Sequence, residues 1–148
     1  MRTIPLNIQG LAENLGGIFL SELKDLPTMG AYALILWINK NIKINTGIHG
    51  QVIVPSGWYI YAGRASRGLG KRLERHNKRR KNVHWHIDHL TTRRPVAIQD
   101  LLIIPENPQW ECEIIRGCLQ YPSTQVPIIR FGNSDCSQGC PSHLIKMK

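Results

Sequence analysis

YIYAGRASRGLGKRLERH, residues 59–76, changes its periodicity partway through eighteen residues. Its first part alternates as a strand does, which places Tyr59, Tyr61 and Gly63 on one face. A glycine-containing turn then leads directly into a basic amphipathic helix, predicted over 66–81, with Leu69 and Leu73 four apart on its inner side. Arg72 and His76 share a face of that helix, as do Arg72, Arg75 and Arg79. With the leucines anchored on the sheet, Arg72 is expected to point back at the tyrosine-bearing strand. From Lys71 to Lys81 the charge is almost all positive, through Arg75, Lys78, Arg79 and Arg80.

Upstream, GAYALILWI (30–38) is apolar throughout and short, which predicts a buried central strand. Turn residues at Asn45, Gly47, Gly50 and Pro55-Ser56-Gly57 predict a meander that sets 51–54 and 58–62 antiparallel beside that strand. Downstream, a helix is expected over 85–92 and a strand over VAIQDLLIIP, ending at Pro105. Asn107-Pro108 is a helix start signal, so a helix is predicted over 108–120. The segment from Val126 is expected to hold a short strand, a turn-rich loop capped by Ser134-Asp135, and a brief helical end. Residues 1–28, with Gly16-Gly17, Pro5 and Pro27, are expected to be an irregular lead-in holding one short element, and 29–148 the domain proper. The fold expected is α/β of the α+β kind, a small, mainly antiparallel central sheet flanked by helices.

A chain of 148 residues can bury a core without disulfides. Its net charge of +9 favours a polyanionic partner, nucleic acid first, through phosphate neutralisation. A merely solubilising cationic surface is the alternative. With no apolar run long enough to cross a bilayer and no leader pattern, the protein is expected to be cytoplasmic and away from membranes. In that reducing compartment the four cysteines, 112, 118, 136 and 140, are expected to be thiols or metal ligands.

Phosphodiester hydrolysis needs a base for water, a cation for the charge developing on phosphorus, and commonly a metal held by a carboxylate. Tyrosine serves as base only if a nearby positive charge lowers its pKa. For the carboxylate, Glu111 heads a stripe with Ile114, Ile115, Cys118 and Leu119, whereas Glu113 faces Arg116. An inward carboxylate is costly unless it meets a cation, so Glu111 is the metal-ligand candidate, with stabilisation of a helix N-terminus as the alternative. His84, His86, Asp88 and His89 offer ligand types at a weak spacing, and Asp88 is expected to orient His76 or Arg72. Cys136, Cys140 and His143, with Cys112 or Cys118 as a fourth, form a candidate zinc site.

The chain resembles the GIY-YIG nucleases. Gly30-Ala31-Tyr32 is similar to the first signature and Tyr61-Ala62-Gly63, about thirty residues later, to the second, with Ala31 and Ala62 in place of the usual isoleucines. The Arg-bearing helix follows, one residue later than in many members, and Glu111, Ile114-Ile115 and Pro122 are similar to the late metal-binding segment, although the Asn that often follows that Pro is not evident. HWHID (84–88) and FGNSDC (131–136) resemble the Uri-type branch, the likeness covering roughly 29–144. It implies a DNA endonuclease in which Tyr32 acts as or assists the base and Tyr61 supports the nucleophile. Arg72 would bind the scissile phosphate with His76 a turn later, and Glu111 would hold one Mg²⁺ or Mn²⁺. The basic residues Arg64, Lys71, Arg75, Lys78, Arg79 and Arg80 would bind nucleic acid. A catalytically silent nucleic-acid-binding module and a zinc-stabilised interaction domain fit the same residues.

Overall fold

The computed structural model describes residues 2–105, 107–133, 136 and 138–148. In chain order these residues form helix α1 (Leu6–Leu15), strands β1 (Ile18–Phe19), β2 (Gly30–Ile38), β3 (Ile42–Asn45), β4 (Gln51–Val54) and β5 (Gly57–Ala65), and helices α2 (Leu69–Asn77) and α3 (Asp88–Thr91). Strand β6 (Val96–Pro105), helix α4 (Glu111–Leu119) and strand β7 (Leu144–Met147) follow. Five strands make one antiparallel sheet of order β1-β6-β2-β5-β7, and β3 and β4 make a separate hairpin. This is the antiparallel, helix-flanked α+β architecture expected.

GAYALILWI is apolar at nearly every position because β2 is paired on both edges and covered on both faces. Tyr32, Leu34, Leu36 and Ile38 face a cluster that takes in Leu69 and Leu73 of α2 and Leu90 of α3. Ala31, Ala33 and Ile35 face Ile8 and Leu11 of α1 and Ile114, Ile115 and Cys118 of α4. Ala31 and Ala62, the alanines at the signature positions, both lie on the α1/α4 side, where small side chains leave room for two helices. Those helices pack so closely that a Cβ on Gly117 would come within 2.7 Å of Leu11.

The structure departs from the sequence reading in several places. The helix expected from 108 opens as a 3₁₀ turn over Pro108–Trp110 with no capping bond from the Asn107 side chain, and the short strand expected from Val126 is reduced to an isolated bridge between Gln125 and Lys146. Residues 6–15 form a full helix whose Ile8, Leu11 and Ala12 are buried in the core, so the N-terminal stretch is not an irregular lead-in. Strand β4 pairs with β3 and not with β2, because β5 and β6 already occupy both edges of β2. Helix α2 stops at Asn77, where Lys78 turns extended, and Lys81 returns to bond the carbonyls of Arg75 and His76 at 3.1 and 3.0 Å. Helix α3 begins at Asp88 and not at Trp85, since the Asp88 carboxylate accepts from the amides of His84 and Trp85 and holds that approach as a turn. The chain from Leu144 closes the free edge of β5 as a strand, which buries Leu144, Ile145 and Met147, and is not helical. The expected cap by Ser134-Asp135 lies outside the described residues. No helix among the described residues is long and apolar enough to cross a membrane.

Candidate functional site

In the register of β2 and β5, Tyr32 lies opposite Gly63. The Tyr32 ring occupies the space a Cβ on Gly63 would need, 2.5 Å from its ring atoms. Gly132, with φ of +73°, leaves similar room for the ring of Tyr61. Both phenols therefore lie over a floor without side chains, in a cleft also lined by Arg64, Arg72, His76, Trp85, Glu111 and His143.

Tyr32 Oη lies 2.7 Å from Nε2 of His76 on α2. Burial pushes protonation of the His76 ring down to about 4 and raises both tyrosine phenols well above their ordinary value. Arg72 acts in the opposite direction on Tyr32, but burial outweighs it, so the lowered phenol pKa expected from a neighbouring guanidinium is not what this geometry gives. The cleft at neutral pH holds a protonated tyrosine against a neutral imidazole. Arg72 donates to the carbonyl of Arg64 at 2.6 Å and lies 4.8 Å over the Trp85 ring.

The His76 shift makes stability depend on pH. The unfolded ring takes up a proton as pH falls through about 6.5, whereas the folded one resists until about 4, so the native state loses stability across that window. Between pH 7 and 5 the wild-type chain is expected to lose on the order of 2 kcal/mol through this group. The fall in Tm over that range should be visibly smaller in His76→Gln.

Glu111, at the first turn of α4, has a side chain 14% exposed, 3.9 Å from Arg64 Nε and 3.5 Å from His143 Nδ1. Ile114, Ile115 and Cys118 are buried along the helix as the stripe predicts, but Leu119 is 40% exposed and Cys112 is buried in its stead. Glu113 pairs with Arg116 on the outside.

The structure thus brings Tyr32, Tyr61, Arg64, Arg72, His76 and Glu111 to one cleft. Arg67 and Lys71 extend its basic rim beside Arg72, Arg67 being a residue that the sequence reading passed over. Lys78 and Arg80 are exposed beyond the end of α2. Arg75 and Arg79 are turned to the protein: Arg75 grips Asp88, and Arg79 donates to the carbonyls of Arg93 and Val96. The partners of Asp88 are Arg75 and Lys81, not His76 or Arg72. His84 and His86 line the cleft, and His86 Nδ1 accepts from the Gly132 amide at 2.8 Å, but with Asp88 and His89 they form no ligand cluster among the described residues.

Beside the cleft, Cys112, Cys136, Cys140 and His143 place their donor atoms within 4.8 Å of one another. The Cys112 and Cys136 sulfurs are 3.3 Å apart and Cys112 Sγ is 3.8 Å from His143 Nε2, while all four cysteines of the chain are free thiols. Burial would raise the Cys136 thiol, yet the amides of Gln138 and Cys140 with Cys112 and His143 hold it near 6, ready to serve as a thiolate. This Cys3His cluster could hold a metal ion, and its donors suit zinc better than magnesium or manganese. Cys118 takes no part, being buried on the face of α4 that packs with α1 against the sheet.

Fold and site together define an antiparallel α+β domain with a tyrosine, arginine and glutamate cleft adjoining a cysteine-rich cluster. Residues 31–148 match the model of a family described as domain of unknown function DUF123, and the chain belongs to that family. No curated protein and no solved structure matches it.

Proposed function

We propose that the chain is a nuclease of the GIY-YIG type that hydrolyses phosphodiester bonds in DNA with one Mg²⁺ or Mn²⁺. The observation that carries this is the meeting of Tyr32, Tyr61, Arg72, His76 and Glu111 in one cleft. Glu111 fits the cation, being a partly exposed carboxylate of the hard-oxygen kind that such ions take while keeping most of their water. When bound, the cation would draw charge from the phosphate oxygens.

Arg72, restrained by Trp85 and the Arg64 carbonyl, binds the scissile phosphate and stabilises the charge that builds there. Tyr32 is too weak an acid to ionise alone, so it takes a proton from the attacking water while passing its own to neutral His76 Nε2. That assigns the bare nitrogen of His76 to Nε2. The water oxygen bonds to phosphorus, the bond to the leaving oxygen breaks, that oxygen takes a proton from solvent, and His76, a weak base in its buried place, returns its own proton to solvent. Tyr61 orients the water through its hydroxyl. Arg64, Arg67 and Lys71 carry the flanking phosphates on the cleft rim, in keeping with the net charge of +9.

For the Cys3His cluster we propose zinc in a structural role, because four protein donors close a tetrahedral shell and leave no place for substrate.

The test is cleavage of labelled duplex, flapped, branched and single-stranded DNA with Mg²⁺ or Mn²⁺ by wild type and Arg72→Ala. Metal-dependent cutting that the substitution lowers about a hundredfold or more is the expected result. Wild type that binds the panel and cuts nothing replaces this reading with a silent nucleic-acid-binding module.

A further inference from the structure

Glu111 and Cys112 are consecutive residues of the first turn of α4, and they enter different sites: the carboxylate lines the cleft and the thiol joins the cysteine cluster. Between them lies one imidazole. His143 is 1% exposed, with Nε2 turned to Cys112 Sγ at 3.8 Å and Nδ1 turned to Glu111 Oε2 at 3.5 Å. Its backbone is fixed by two hydrogen bonds, from its amide to the Phe131 carbonyl and to its carbonyl from the Ala62 amide, both 2.9 Å. The buried Nδ1 has no closer partner among the described residues and makes no regular hydrogen bond, so the Glu111 carboxylate is the acceptor available to it.

An imidazole has two neutral forms, and a metal on one nitrogen leaves the proton to the other. With Nε2 bound to a metal, His143 must present Nδ1–H to Glu111; with no metal the opposite tautomer is open, and it sets a lone pair against the carboxylate. A histidine that ligates a metal and donates its second N–H to a carboxylate is a recurrent device for fixing both groups. In this cleft it runs outward: the metal orients the histidine, and the histidine orients a carboxylate that has a further task.

We infer that the metal in the Cys3His cluster, acting through His143, holds the Glu111 carboxylate in the orientation that receives the cation of the cleft. His143 is a positioning residue, and the cluster is coupled to the neighbouring site. The inference rests on the proposal above, with zinc in the cluster and a divalent cation at Glu111.

The test uses the full chain and His143→Cys, which offers the zinc a fourth sulfur but no N–H to Glu111. Zinc content is measured by elemental analysis, folding by thermal melting, and cleft occupancy by titration with Mn²⁺ followed by electron paramagnetic resonance. The expected result is zinc at one per chain in both proteins, with Mn²⁺ affinity about tenfold or more weaker in the variant. Equal Mn²⁺ affinity with zinc retained overturns the coupling alone. Wild type that carries no zinc, or carries zinc and takes no Mn²⁺ that Glu111→Gln removes, overturns the proposal beneath it. A second measurement covers a variant that loses zinc or fails to fold: nitrogen-15 spectra of the histidine rings in zinc-loaded wild type. These should show His143 protonated at Nδ1, with that resonance moving in Glu111→Gln. A proton at Nε2, or indifference to that substitution, overturns the inference.

Discussion

Glu111→Gln is expected to lower metal-dependent cleavage by about a thousandfold or more, a loss of roughly 4 kcal/mol in transition-state stabilisation. Glutamine keeps the size and the position at the head of α4 but removes the negative charge, and no other carboxylate lines the cleft among the described residues. Stability should change little: the lost interaction with the helix N-terminus is worth about 0.3–1 kcal/mol, Arg64 is a half-exposed partner 3.9 Å away, and the glutamine carbonyl oxygen can still accept from the buried His143 Nδ1. DNA affinity should be equal or higher, since a charge that repels phosphate has gone. Glu113→Gln, on the outer side of the same turn and paired with Arg116, is the control and should cut normally. Gel-based cleavage rates beside fluorescence anisotropy of a labelled duplex separate the two quantities. Residual cutting within tenfold of wild type would place the cation elsewhere.

Asp88→Ala is expected to be the most destabilising single change at a charged residue, about 3–5 kcal/mol. The side chain is fully buried and accepts from Arg75 at 3.0 and 2.9 Å and from the amides of His84 and Trp85 at 2.8 and 2.9 Å, with Lys81 at 3.7 Å. Burial alone would raise its pKa, but these donors hold it below the usual carboxylate range. Its contribution is therefore complete above the unfolded value near 4 and lost as pH falls through the lower folded value. Alanine leaves two cations and two amides facing a gap. Trp85 and Arg75 shift with them, and Arg72 loses the surface it rests on, so cleavage should fall with stability. Urea unfolding at pH 7 measures the first effect; a loss under 1 kcal/mol would show that water satisfies those donors.

Much of the fold was legible because local pattern and tertiary context agreed. The short, unbroken apolar run of 30–38, with its aromatic and β-branched members, reads as a buried central strand, and Asn107-Pro108 marks the approach to α4. Where the reading went astray, pairing partners distant in sequence decided the outcome. Nothing within 51–54 says that both edges of β2 are taken, and nothing within 144–147 says that an open edge of β5 awaits it. Charge periodicity continues past Asn77 and so predicts a helix to 81, whereas the backbone turns there to bring Lys81 to the last carbonyls. In the cleft, Tyr32, Tyr61, Arg72, His76 and Glu111 could be named from strand and helix periods together with the family resemblance. Arg75 and Arg79 could not be separated from the basic rim, since their partners are backbone carbonyls and a carboxylate in other segments. Cys112 and Cys118 lie six apart on one helix, and only the position of the loop bearing Cys136 shows which of them completes the cluster.

The strand order has a consequence for the chain as it is made. Tyr32 and Tyr61 leave the ribosome early and can pair on β2 and β5, but Glu111 comes only after β6, and the free edge of β5 waits for β7. Ala62 meets His143 across some eighty residues of intervening chain, a slow kind of closure. A nascent chain therefore carries the phenols and Arg72 well before it carries the carboxylate and cysteines that complete the cleft. Completion of the cleft is timed by synthesis: it cannot come before His143 has been added.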